Sequence, residues 1–149
     1  MTHNEKKSLY ESIMKQVAKI VNKRLNEDKF IGPEGDDSYL IAAGLDYIKA
    51  DEEMSEYFDQ ANVEAFEATR KVATMCTDGK IIYYSPDFVG RLDDREQAFV
   101  ILHCCAHIIM SHHAGNIEEN IEMDKKVNRY LEERWPEFKG LTNQLNGFI

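Results

Sequence analysis

The stretch ILHCCAHIIMSHH (101–113) holds four of the chain's five histidines and two of its three cysteines inside an otherwise apolar run. His103 and His107 stand four residues apart. On an α-helix that spacing puts both side chains on one face, close enough to grip a single ion as the histidine pair of a zinc hydrolase helix does. Two ligands do not make a site, so the question is where a third lies. His112 and His113 are the nearest candidates. At about 100° per residue, His112 sits roughly 160° from the midpoint of the pair and His113 roughly 100° away on the other side. Either would need a break near Met110, and the first glycine comes only at Gly115.

The next segment offers another donor. Its apolar stripe reads Ile117, Ile121, Asp124, Asn128 and Leu131, so a carboxylate falls in the centre of a buried face, where it is costly unless compensated. Ala114-Gly115-Asn116 ends the ligand helix, Gly115 suits a left-handed cap, and a short connection makes the two helices antiparallel. A turn centred between Gly115 and Asn116 sets Asp124 opposite His107 and Asn128 opposite His103. A competing reading needs no metal: a His–Asp–Asn cluster can serve only to specify helix packing. His112 and His113 can be solvated residues favourable to the helix dipole, and Cys104-Cys105 can be core filler.

These residues need elements to position them. Leu9, Ile13, Val17, Ile20, Val21 and Leu25 recur at helical spacing, predicting an amphipathic helix from Glu5 to about Asn26. IGPEGDD (31–37) is turn chemistry, and residues 38–50 read as a second helix. Residues 51–70 read as one or two short helices with Met54, Tyr57, Phe58, Val63 and Phe66 inward. Their acids form a solvated face or a partner-binding surface. Asp78-Gly79 lies between two β-prone runs and predicts a hairpin. SPDFVGRL is a connector with a single turn at most. Asp93 or Asp94 starts the ligand helix, with Glu96 placed as in a capping box. From Gln97 to about His113 that helix is apolar nearly all round, which makes it central. A last helix runs from about Ile117 to Arg134 and stops at Trp135-Pro136; the tail LTNQLNGFI carries no pattern. The expected class is α+β and mostly helical. It is one domain over 1–149, with N-terminal helices at 5–70 and the hairpin and ligand-helix pair at 72–135.

The bulk composition bounds the function. A chain of 149 residues, 43% hydrophobic and 30% charged, can bury a proper core. Its net charge of −9 argues against nucleic acid and anionic membranes as partners. The N-terminal residues lack a signal pattern, and no apolar run approaches the ~18 residues that span a bilayer. Three cysteines, two adjacent, do not form a disulfide framework, so a reducing cytoplasm is expected.

Residues from about 76 to 135 resemble the metallopeptidase domain that bacterial and phage proteins carry ahead of a von Willebrand A-like domain. The resemblance is carried by TDGKIIYYSPDFV, LDDREQAFVILHCCAH, the further histidine His112 and MDKKVN (123–128), in that order and spacing. It implies a zincin-like fold: a central buried ligand helix packed on an antiparallel helix, with a β-hairpin at one side. It implies zinc on His103 and His107 with Asp124 or His112 as the third ligand, Asn128 being placed behind them. It also implies an edge strand that pairs with an extended peptide, here Ile81, Ile82, Tyr83 and Tyr84, the two tyrosines pointing to opposite faces; the competing reading is that one tyrosine packs on the helix and the other is merely wet. A peptide or protein ligand is the expected partner, and an ATPase-associated assembly is a further one.

The sequence departs from the family pattern at one position. After the first histidine the family carries glutamate, which moves the proton in hydrolysis; here stands Cys104. A shorter, mostly protonated thiol does not reproduce that reach. Three expectations follow. The domain is a zinc-binding peptidase scaffold without its proton shuttle; or a hydrolase using another carboxylate such as Glu118 or Glu119, or Cys104 in an unconventional role; or a metal-free interaction protein whose acidic helices (51–67) contact a partner.

Overall fold

The computed structural model describes residues 38–110 and 117–145. The expected helix at 5–26, the turn at 31–37, His112, His113 and the Gly115 cap lie outside them. A 3-10 turn, Ser38–Ile41, leads into α1 (Ala42–Lys49). Asp51 caps α2 (Glu52–Ala61) by accepting from the Met54 amide at 3.0 Å. Three strands follow, β1 (Ala65–Ala68), β2 (Met75–Thr77) and β3 (Ile81–Tyr84), then a single turn of helix, α3 (Pro86–Val89). The histidine-bearing helix α4 (Asp94–Ile109), its partner α5 (Ile117–Arg134) and a short α6 (Leu141–Gln144) complete the chain order. The architecture is α+β, mostly helical, with one small sheet.

The reading of 51–70 as helices holds only as far as Ala61. Asn62 takes a left-handed conformation (φ 49°) that stops α2, and Ala65–Ala68 pairs parallel with β3, from Ala65 beside Ile81 to Ala68 beside Tyr84. No local pattern marks AFEA as a strand; a partner sixteen residues away supplies its hydrogen bonds. Phe58 on α2 and Phe66 on β1 stack at 6.1 Å, so both side chains do turn toward the same packing layer.

The expected hairpin is β2–β3, with Met75 opposite Tyr84 and Thr77 opposite Ile82. Its turn is built by its own side chains. Asp78 Oδ1 accepts from the Lys80 and Ile81 amides at 2.9 Å, Thr77 Oγ1 accepts from the Gly79 amide at 3.0 Å, and Gly79 sits at φ 103°. Such a φ is nearly free for glycine alone. β3 is the middle strand of the order β1-β3-β2. This corrects the expectation of a peptide-binding edge: both sides of Ile81–Tyr84 are already paired. It also explains the run IIYY, since a strand buried on both faces has no polar alternation. Neither tyrosine is wet. Tyr84 joins the main core, while Tyr83 packs with Ile81 and Val72 on the other face and donates its hydroxyl to Asp78 Oδ2 at 3.1 Å.

Helix α4 is central, as its all-round apolarity predicts. Residues 97–106 are all buried, and α1, α2, α5 and β2 pack around them. Asp93 is the cap residue: its side chain accepts from the Glu96 amide at 2.8 Å while Glu96 Oε1 accepts from the Asp93 amide at 3.0 Å. One turn on, buried Gln97 ties three elements together. Its amide nitrogen donates to the carbonyls of Leu40 and Val89, and its Oε1 accepts from the Gly44 amide at 3.0 Å. A Cβ on Gly44 would stand 2.6 Å from Gln97 Cβ. Gly44→Ala should therefore push α1 off α4 and lower the unfolding free energy by about 1–3 kcal/mol, measured as a shift in the urea midpoint. An unchanged midpoint would show that α1 shifts without cost.

The C-terminal segment is also part of the packing. Phe138 and Leu141 are fully buried, and Glu132 on α5 accepts from the Thr142 hydroxyl at 2.6 Å and from the Gly140 amide. Gln144 also donates to Glu96 at 2.8 Å, a partner forty-eight residues away that no local pattern in the tail could show.

Candidate metal centre

The pair expected from spacing meets its facing helix as antiparallel geometry requires. His107 Nε2 lies 2.7 Å from Asp124 Oδ1, and His103 Nδ1 lies 2.7 Å from Asn128 Oδ1. Spacing did not anticipate one contact: His103 Nε2 also lies 2.9 Å from the same Asp124 oxygen, and 3.0 Å from His107 Nε2. The rings of the two histidines meet edge to face at 4.7 Å between centroids. Three donor atoms from two helices thus converge on one point, and among the described residues they form the only group able to hold a metal ion.

Protonation decides whether the residues fit an ion. An amide oxygen can only accept, so His103 Nδ1–H donates to Asn128, and in its neutral form the ring presents a lone pair at Nε2. Ionised Asp124 presents lone pairs as well. His107 can supply one proton, which serves one of its two neighbours. The 2.9 Å approach of His103 Nε2 to Asp124 Oδ1 then brings two acceptors together unless a second proton or a cation lies between them. A divalent cation meets all three lone pairs at once. The donor set, two imidazoles and a carboxylate, is one that binds first-row divalent metals.

Burial sharpens the point. Asp124 is 2% exposed, and the side chains of His103 and His107 are 7% and 12% exposed. A carboxylate so placed needs compensating charge. Only His107 reaches toward solvent appreciably. Asn128, itself buried, holds the His103 ring in one tautomer, the usual role of a residue behind a metal ligand. Asn128→Ala should weaken metal binding by about 10–100-fold, whereas Asn128→Asp, which still accepts from Nδ1, should keep most of the affinity. Equal loss in both variants, read by competition with a chelating dye, would remove this role.

Cys104 stands at the position after His103. It is buried in the main core, and burial pushes its thiol well above the ordinary range, with neighbouring Cys76 and Cys105 acting in the same direction. Cys76 and Cys105 are likewise pushed up to about 12, mainly by burial. All three are free thiols, and a thiol in that state is neither base nor nucleophile at neutral pH. The side chains of Glu118 and Glu119, the alternative carboxylates, lie outside the described residues, as do His112 and His113. Of the acids expected on a solvated face, Glu52, Glu53, Glu56 and Asp59 of α2 and Glu64 are exposed, but Asp51 is half-buried and Glu67 on β1 is buried. Among the described residues no helix is long and apolar enough to cross a membrane.

Comparison with known proteins adds one finding. No curated protein and no solved structure matches the chain at a significant level. The family model described as putative metallopeptidase domain matches residues 60–128, from the end of α2 through the hairpin and His103, His107 and Asp124 to Asn128, and over that stretch the chain is similar to this family.

Proposed function

We propose that the chain is a metal-binding, metallopeptidase-like domain that holds a divalent ion on His103, His107 and Asp124 and does not itself cleave peptides. The reading is carried by the convergence of His103 Nε2, His107 Nε2 and Asp124 Oδ1 in one buried cluster, where a single divalent ion would satisfy all three donors and balance the carboxylate. The similarity over residues 60–128 supports the same centre. Zinc is the ion the resemblance implies, and a zincin-like relation of the ligand helix to the sheet is part of the same reading. When bound, the ion would supply Lewis acidity at the mouth of the cluster. The chain's own residues fix its place: Asn128 orients His103, and Asp124 balances charge.

The non-catalytic half of the proposal rests on Cys104. The position after His103, where the family pattern carries its proton-moving glutamate, holds a buried thiol that burial keeps protonated. General acid–base groups contribute about 10²–10⁴-fold to such reactions. The scaffold then serves to hold a peptide or protein ligand, in the cytoplasm and in an assembly of the kind the family resemblance suggests. With β3 paired on both sides, an added strand would lie along the outer edge of β1 or β2.

Elemental analysis of untagged protein tests the centre, and incubation of the metal-loaded protein with unfolded protein substrates tests the rest. The expected result is about one metal ion per chain with the substrates left intact. Metal-free protein would leave a polar packing cluster and favour the interaction-protein reading. Chelator-sensitive cleavage would overturn the non-catalytic half.

A further inference from the structure

We infer that the ion is held in a six-coordinate, facial geometry rather than in the four-coordinate one of zinc hydrolase sites. The inference rests on the metal-centre reading and concerns what that centre selects. The three donor atoms stand 3.0, 2.9 and 2.7 Å apart. Ligands at about 2.0–2.1 Å around a tetrahedral ion stand about 3.3–3.4 Å from one another. Around an octahedral ion at about 2.0–2.1 Å, adjacent ligands stand about 2.8–3.0 Å apart. The observed triangle has the size of one face of an octahedron.

The triangle is held from behind. His103 is fixed by Asn128 on its far nitrogen at 2.7 Å, and Val127 and Leu131, on either side of Asn128, are fully buried. The backbone of α4 under both histidines belongs to the buried stretch 97–106 and its next residue. Widening the two histidine–Asp124 distances would mean moving α4 from α5 against a close-packed interior, while the His103–His107 distance is set within α4 by the ring that Asn128 holds. The donor set agrees with this size: two histidines and one carboxylate on one face, with the remaining positions open, is the arrangement that suits ferrous iron and its octahedral neighbours. Manganese, iron and cobalt in the divalent state are therefore the favoured class, with three adjacent positions left for water or for a ligand offering two oxygens, such as a carboxylate. Zinc has no geometric preference of its own and would be forced into the same site.

Cobalt(II) added to the metal-free full chain tests the geometry without any assay of activity. The expected result is about one cobalt per chain, with visible absorption per bound ion at least about tenfold weaker than that of a tetrahedral cobalt standard. His107→Ala and, separately, Asp124→Asn should lose that cobalt, while the double variant His112→Ala/His113→Ala should keep it. Strong, tetrahedral-type absorption from the bound ion would overturn the six-coordinate assignment and leave the metal centre standing. No binding, or binding unchanged in both His107→Ala and Asp124→Asn, would overturn the centre itself.

Discussion

Replacing His107 with alanine should abolish stoichiometric metal binding while leaving the fold intact. Removing a residue behind a ligand costs about 10–100-fold in affinity, so removing a ligand should cost more than about 100-fold. His107 is the most exposed member of the cluster, at 12%, and lies near the C-terminal end of α4, so its loss opens no deep cavity. The contrast with wild type is in linkage. An ion present at about 100 times its dissociation constant stabilises the native state by about 2.7 kcal/mol. For a chain of this size that is about 5–11 °C in melting temperature. A chelator should therefore lower the wild-type melting temperature by that amount and leave His107→Ala unmoved. If chelator leaves both unmoved, the cluster is a polar packing device and no more.

Cys104→Glu should destabilise the protein by about 4 kcal/mol or more, because it drives a carboxylate into a position that is 2% exposed and surrounded by core. The sequence alone invites the opposite expectation, since glutamate is what the family pattern carries there. The structure places the thiol in the main core, beside Cys105 on α4 and near Cys76 on β2. Cys104→Ala, as control, removes only a small side chain and should cost far less. Urea unfolding of the three proteins separates these outcomes. If Cys104→Glu keeps wild-type stability and cleaves unfolded protein when metal is present, the position does face the ion, and the scaffold is a hydrolase lacking one residue.

How much was legible beforehand differs between the site and the fold. Within one helix, geometry is fixed by 3.6 residues per turn, so His103 and His107 could be paired from spacing. Across the short turn to the next helix, antiparallel register carried the argument as far as Asp124 and Asn128. The structure brings all four together and adds the second contact of Asp124 with His103. That contact was not legible because it depends on how closely and at what stagger the two helices pack, which neighbouring side chains set. The same limit appears in β1: AFEA has no strand pattern of its own, and its hydrogen bonds come from β3. It appears again in IIYY, where a run that reads equally as edge or centre became the centre once β1 took its free side.

The sequence by itself determined the elements whose information is local: the capped ligand helix, the Asp78-Gly79 hairpin, the stop at Trp135-Pro136, and the facing of His103 and His107 by Asn128 and Asp124. Only the tertiary structure decided which strand is covered, which way Cys104 is surrounded, and how tightly the three donors close on one another. Those depend on contacts between residues far apart in the chain. Burial, which sets the charge state of the thiol and the need for compensating charge at Asp124, is a property of the assembled core and not of any segment in it.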